Sequence, residues 1–169
     1  MFEYLFGQMS TQSGLVAMDV FDLLFVLCAV AFNLLIVGIF IATKKERPEL
    51  RKTLGMAFVS LGIPFAIVFI RYLVERRGLR TMVPFGFVLL YIAVEVVLDY
   101  ILKIDFRKKL ITHVPYIVLE YIALFSLIGI SFSINRVWGW MVSISFWAVI
   151  GSLICLYWGK GKQPAHTLR

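Results

Sequence analysis

Five long apolar blocks, at roughly 15 to 43, 53 to 74, 82 to 103, 114 to 135 and 138 to 158, alternate with short polar separators along the chain. Each block is about 20 residues or longer, enough for a helix to cross ~30 Å of hydrocarbon at 1.5 Å per residue. A backbone in lipid must satisfy its own hydrogen bonds, and no ten-residue alternation of the barrel type appears, so the blocks read as helices. The expected fold is all-α: one transmembrane domain over residues 1–169, a polytopic integral membrane protein built as a bundle of five transmembrane helices. The separators are too short to build a second core.

Prolines and aromatic residues refine this picture. Pro48 falls in the charged separator KKERPELRK, and Pro84 and Pro115 fall in the predicted first turns of their spans, where a missing N–H costs little. Pro64 lies mid-span after Gly62 and predicts a kink that frees a carbonyl near residue 60, read either as a packing feature or as a hinge. Trp138, Trp140, Tyr157 and Trp158 bracket the last block as interfacial anchors. Small residues, Ser126, Gly129 and Ser133 and then Ser145, Ala148, Ser152 and Cys155, predict a seam between the last two helices, or else a hydroxyl-lined path.

Composition excludes a soluble domain: 61% of the 169 residues are hydrophobic and only 16% are charged. The net charge of +7 does not point to nucleic acid, because the basic residues gather in the separators and report topology instead. Lys44, Lys45, Arg47, Arg51 and Lys52 share one side with Lys103, Arg107, Lys108 and Lys109 and with Lys160, Lys162 and Arg169 of the tail. The other side receives Arg71, Arg76, Arg77, Arg80 and Arg136. The positive-inside rule then places the N-terminus outside and the C-terminus in the cytoplasm, with a prokaryotic inner membrane as the expected location. The segment before the first block carries no basic residue, unlike a cleavable signal peptide, so the first span is expected to stay in the mature protein. Cys28 and Cys155 lie within apolar blocks and form no metal-binding pair.

Charges inside the spans are the candidate chemistry, since ionisable groups at membrane depth are costly and mark function more often than not. Near the outer surface lie Asp19 and Asp22 of the first span and Arg71 of the second, and an aspartate paired with Arg71 is the simplest arrangement. Asp22, Ala29 and Asn33 share a helix face, which turns Asn33 toward protein. Toward the cytoplasm, Glu95 of the third span and Glu120 of the fourth fall at the same depth, ~10 Å inside the boundary. On the third helix Tyr91, Glu95, Asp99 and Lys103 form a stripe at four-residue spacing, and His113, Tyr116 and Glu120 lie close to one face of the fourth. Together they outline a polar pocket.

Three carboxylates in a low dielectric cannot all stay ionised without compensation, so bound cations or shared protons are required. The leading expectation is a transporter or channel-like protein that binds a proton, a metal cation or a cationic small solute at Glu95, Asp99 and Glu120, with Tyr91 and Tyr116 beside them. A structural reading stands against it: Lys103 reaches back to Asp99, Glu95 bonds Tyr116 or Tyr121, and the cluster only sets helix register. Two further readings stay open, a non-catalytic scaffold or subunit of a membrane complex and a lipid-modifying enzyme that holds Mg²⁺ on the three acids. No nucleophile, metal-pair or phosphate-loop motif favours an enzyme. No cofactor is expected beyond a cation at Glu95 and Glu120, and the expected partners are lipid, a second copy or a membrane subunit.

Overall fold

The computed structural model describes residues 19–101 and 110–158, and for 99–101, 110–113 and 157–158 it describes the backbone alone. Helix α1 runs Val20–Lys44, α2 Pro48–Ser60, α3 Gly62–Val74, α4 Leu79–Glu95 with a π-helical continuation Val96–Ile101, α5 Leu110–Ile134 and α6 Arg136–Trp158. The described residues form five helices long and apolar enough to cross a membrane, with α2 and α3 making one span. Consecutive spans pack side by side and α6 returns against α1, which closes the ring.

Helix α1 organises the interior because it is apolar on more than one face. Phe25, Ala29, Phe32 and Ile36 recur at the spacing of a helical stripe and are buried against the second and third spans. Phe25 meets Phe85 with ring centroids 5.2 Å apart, and Phe32 meets Phe58 at 4.6 Å and Tyr91 at 5.9 Å. Lipid supplies no hydrophobic drive between helices, so this close aromatic packing carries much of the association, each pair contributing about 0.5–1.5 kcal/mol. Asn33 does turn inward: its amide donates to Ser145 Oγ at 2.6 Å and to the Val142 carbonyl at 3.3 Å, joining α1 to α6. The exterior is the inverse of a soluble protein's, with Ile144 and Trp147 each 68% exposed and Phe125, Ile63 and Leu27 also outward. Such a surface suits lipid, and the architecture is that of an integral membrane protein.

Three sequence expectations change. Pro48 opens α2 at its first turn, so the charged separator contracts to Lys45–Arg47. Pro84 and Pro115 sit inside α4 and α5, not in their first turns, because each helix begins about a turn and a half earlier, in polar sequence that was read as connector. The seam of small residues is only partly formed: Ser126 and Ser145 are buried, but Gly129, Ser133, Ala148 and Cys155 are exposed. Helix α6 presents Val142, Ser145, Phe146 and Val149 inward because it serves α1 as well as α5, and that rotates the small stripe outward. The hydroxyls of Ser126, Ser133 and Ser143 bond to the carbonyl one turn back on their own helices. At Pro64 the helix does break, at Leu61 between α2 and α3. Trp140 is exposed and Trp138 half-buried, while the side chains of Tyr157 and Trp158 lie outside the described residues.

The tight connections bring two testable consequences. Glu46 and Arg76 follow the ends of α1 and α3 in the left-handed region, each at φ 52°. In both, the amide of the next residue reaches back five positions, Arg47 to the Ala42 carbonyl at 3.0 Å and Arg77 to the Tyr72 carbonyl at 3.1 Å, the pattern of a glycine-type helix stop. Glu46→Gly and Arg76→Gly are therefore expected to stabilise the purified protein by about 0.5–1 kcal/mol each in an unfolding titration. The α5–α6 turn is a single residue, Asn135, whose side chain accepts from the Val137 amide at 2.8 Å. So short a reversal presses Gly139 under the Phe132 ring, where an added Cβ would clash with the ring carbons. Gly139→Ala should lower the unfolding midpoint, with a loss of about 1–3 kcal/mol as Phe132 is displaced.

Candidate functional site

The half of the bundle where α1 and α6 end and α5 begins contains a cavity of ~340 Å³. Tyr91 and Glu95 come from α4, and Tyr116, Glu120 and Tyr121 from α5. These two helices pack antiparallel, which is why residues 25 apart in sequence meet at one level. Opposite them α1 contributes Ile36, Phe40 and Thr43, α2 contributes Phe58, and α6 contributes Val149, Leu153 and Leu156. The cavity therefore has an oxygen-bearing wall on α4 and α5 and a largely hydrocarbon wall on the other helices.

A hydrogen-bonded chain runs along the polar wall. The Tyr116 hydroxyl donates to Glu95 Oε2, and the Tyr91 and Tyr116 hydroxyls are 2.9 Å apart. Because Tyr116 has only one proton to give and spends it on Glu95, Tyr91 is the donor in the second bond. Two phenol hydroxyls thus line up toward the Glu95 carboxyl group. Glu95 is 8% exposed, and Tyr91 and Tyr116 are buried with it. Glu120 is half-buried on the same wall. The Glu95–Tyr116 bond is the one the structural reading foresaw, and it lies in the wall of the cavity.

The four-residue stripe on the third span does not continue unchanged. Immediately after Glu95 the helix widens into the π-helical turn Val96–Ile101, whose i to i+5 bonding alters the angular step between residues. Asp99 therefore cannot be placed beside Glu95 by α-helical spacing, and its side chain, with Lys103 and that of His113, lies outside the described residues. Wide turns of this kind are frequent at functional sites, and no residue type in VVLDYI signals one.

At the opposite end the expected pairing is replaced by another. Arg71 binds Glu75 at 2.8 Å, one turn along its own helix, and lies over the Phe21 ring, while Asp19 caps α1 by accepting from the Phe21 amide. Asp22 is held by Arg77 at 2.7 Å and by the Tyr72 hydroxyl at 2.6 Å. Arg71 is half-exposed and meets α1 at the Phe21 ring, not at an aspartate, whereas the left-handed turn at Arg76 folds Arg77 back over the Tyr72 ring, 3.9 Å from its centroid. Arg77 also binds Glu75 at 2.9 Å. Partial burial opposes the Arg77 charge, but the bonds to Asp22 and Glu75 and the proximity of Tyr72 outweigh it and raise its pKa, so the guanidinium stays charged in the lock. Tyr72 and Arg77 were missed because their meeting depends on the turn geometry, not on spacing.

Between these two polar ends stands an aromatic column. Tyr72 contacts Phe85, Phe85 contacts Phe25 and Phe65, Phe65 contacts Phe32, and Phe32 contacts Tyr91 at the floor of the cavity. No protein-family model, curated protein or solved structure matches the chain.

Proposed function

We propose that the protein is a membrane transporter or channel-like protein that takes up a cation in the cavity bounded by Glu95 and Glu120. The observation that carries this reading is the convergence of two carboxylates and three phenols on one wall of a ~340 Å³ space within the spans. Such a cavity, with few polar groups converging in an otherwise apolar lining, has the form of a small-molecule site. A cluster that served register alone would have no use for open volume beside its acids.

In the orientation that the basic separators favour, the N-terminus lies outside, the C-terminus lies in the cytoplasm and the cavity belongs to the cytoplasmic half of a prokaryotic cell membrane. The aromatic column from Phe85 to Tyr91 then separates the cavity from the outer lock, which is how an inward-facing, outwardly closed conformation is built. The break at Leu61 beside Pro64 supplies a hinge in the span that carries Phe58 on one side and Phe65 and Tyr72 on the other. The Mechanism of uptake this supports is attraction to the two carboxylates, shielding by the apolar wall, and release by rotation at the hinge. Charge movement recorded from wild-type proteoliposomes on a sudden rise in external organic or inorganic cation tests it. A cation-dependent transient is expected; silence for every cation and at every pH would leave a scaffold as the better description.

A further inference from the structure

We infer that the cation is an organic ammonium with an apolar body, bound with its charge at Glu95 and Glu120 and its hydrocarbon against α1, α2 and α6. This rests on the cation site proposed above and names the ligand class. The geometry points to it through the distribution of atoms around the cavity. The described oxygen-bearing side chains are concentrated on α4 and α5, namely Tyr91, Glu95, Tyr116, Glu120 and Tyr121, with Thr43 near the end of α1 as the exception. Facing them are Ile36, Phe40, Phe58, Leu153 and Leu156, which offer carbon only.

A bare hard cation is stabilised by six or more oxygens arranged around it, and among the described residues the one-sided wall leaves the far hemisphere facing hydrocarbon. The space is also far too large for an ion, at ~340 Å³ against the ~30 Å³ that a water molecule occupies in the liquid. A proton alone needs neither the volume nor the apolar wall. An alkylammonium matches both features at once: its charge meets carboxylates and aromatic rings, and its chain displaces nothing that needs hydrogen bonds. An organic anion of the same shape would bring its charge against Glu95 and Glu120.

The test uses the full chain in nanodiscs and equilibrium dialysis of labelled probes, with empty nanodiscs subtracted for partition into lipid. Hexyltrimethylammonium should bind at least tenfold more tightly than tetramethylammonium, a difference that fewer than two buried methylene groups supply. Hexyl sulfate should show no binding above the lipid background. Glu95→Gln and Glu120→Gln should each weaken hexyltrimethylammonium at least tenfold. Leu153→Trp, which fills the apolar side without touching the acids, should weaken hexyltrimethylammonium and leave tetramethylammonium unchanged. Equal affinities for the two ammonium probes, or an equal loss of both in the Leu153→Trp protein, would overturn the organic ligand; if Glu95→Gln still weakened tetramethylammonium or Mg²⁺, the cation site itself would stand. Absence of binding by every cation would overturn both.

Discussion

Glu95→Gln and Glu120→Gln proteins, reconstituted at the same density as wild type, are each expected to lose at least nine-tenths of the cation-dependent charge movement. Glutamine keeps the shape and much of the hydrogen bonding of glutamate but removes the charge, so the chain from Tyr91 through Tyr116 retains an acceptor at position 95. The loss is then electrostatic. A carboxylate held in a site of low effective dielectric interacts with a cation several-fold more strongly than it would in water, and a tenfold effect requires only about 1.4 kcal/mol of that difference. Tyr116→Phe separates the carboxylate from its support: it removes the donor to Glu95 while leaving the ring, and a smaller, graded loss is expected. Retention of wild-type currents in both glutamine variants would mean that the cavity is not on the path.

The second large effect concerns stability and lies at the other end of the bundle. Arg77→Ala should cost about 2–3 kcal/mol in an unfolding titration of the purified protein, because it leaves the part-buried Asp22 with only the Tyr72 hydroxyl and Glu75 with only Arg71. That figure is below the ~3–5 kcal/mol of fully buried pairs, since the Arg77 and Asp22 side chains keep 26% and 16% of their exposure. Asp22→Ala should cost a similar amount, and the double variant should cost less than the sum, the signature of a shared interaction. Arg71→Ala, by contrast, removes a half-exposed guanidinium, leaves Glu75 its bond to Arg77, and should change stability by no more than about 1 kcal/mol. Equal effects at Arg71 and Arg77 would contradict the lock described here.

The contrast between the two ends shows what was legible in the chain and what was not. Glu95 and Glu120 could be brought to one depth from sequence, with Tyr91 and Tyr116 on the same helix faces, because the third and fourth spans are neighbours in an up-and-down bundle and helical rise then sets the level. Their lateral partners could not be foreseen. Ile36, Phe40 and Leu153 are apolar residues in apolar spans, and only the closure of the ring by α6 against α1 makes them a wall. Arg77 lay in a separator that read as loop, and its return over Tyr72 follows from one residue, Arg76, taking a left-handed conformation that is uncommon outside glycine. The π-helical turn after Glu95 was equally hidden, because it is a choice between two backbone hydrogen-bond registers that VVLDYI allows. Helix starts were hidden for a related reason: a proline suits a first turn, yet α4 and α5 extend past Pro84 and Pro115 into polar sequence.

These two polar ends also suggest how the structure divides its work. The lock of Asp22, Tyr72 and Arg77 ties α1 to the second span at one end, and the cavity, lined by every span, lies at the other. The aromatic column lies between them, so a motion that opened the end at Asp22 would have to part Phe25 from Phe65 and Phe85. Hinge bending at Leu61 would do so while leaving the cavity's polar wall intact, because that wall belongs wholly to α4 and α5.

The most direct measurement of a cation at Glu95 and Glu120 is protection from a membrane-permeant carbodiimide, which couples to carboxyl groups, with the modified residues located by mass spectrometry of the full chain in nanodiscs. Saturating hexyltrimethylammonium is expected to suppress modification at Glu95 and Glu120 at least fivefold while leaving Glu49, in the first turn of α2, unchanged. Modification of Glu95 and Glu120 at the same rate with and without the cation would contradict a cation site in this cavity.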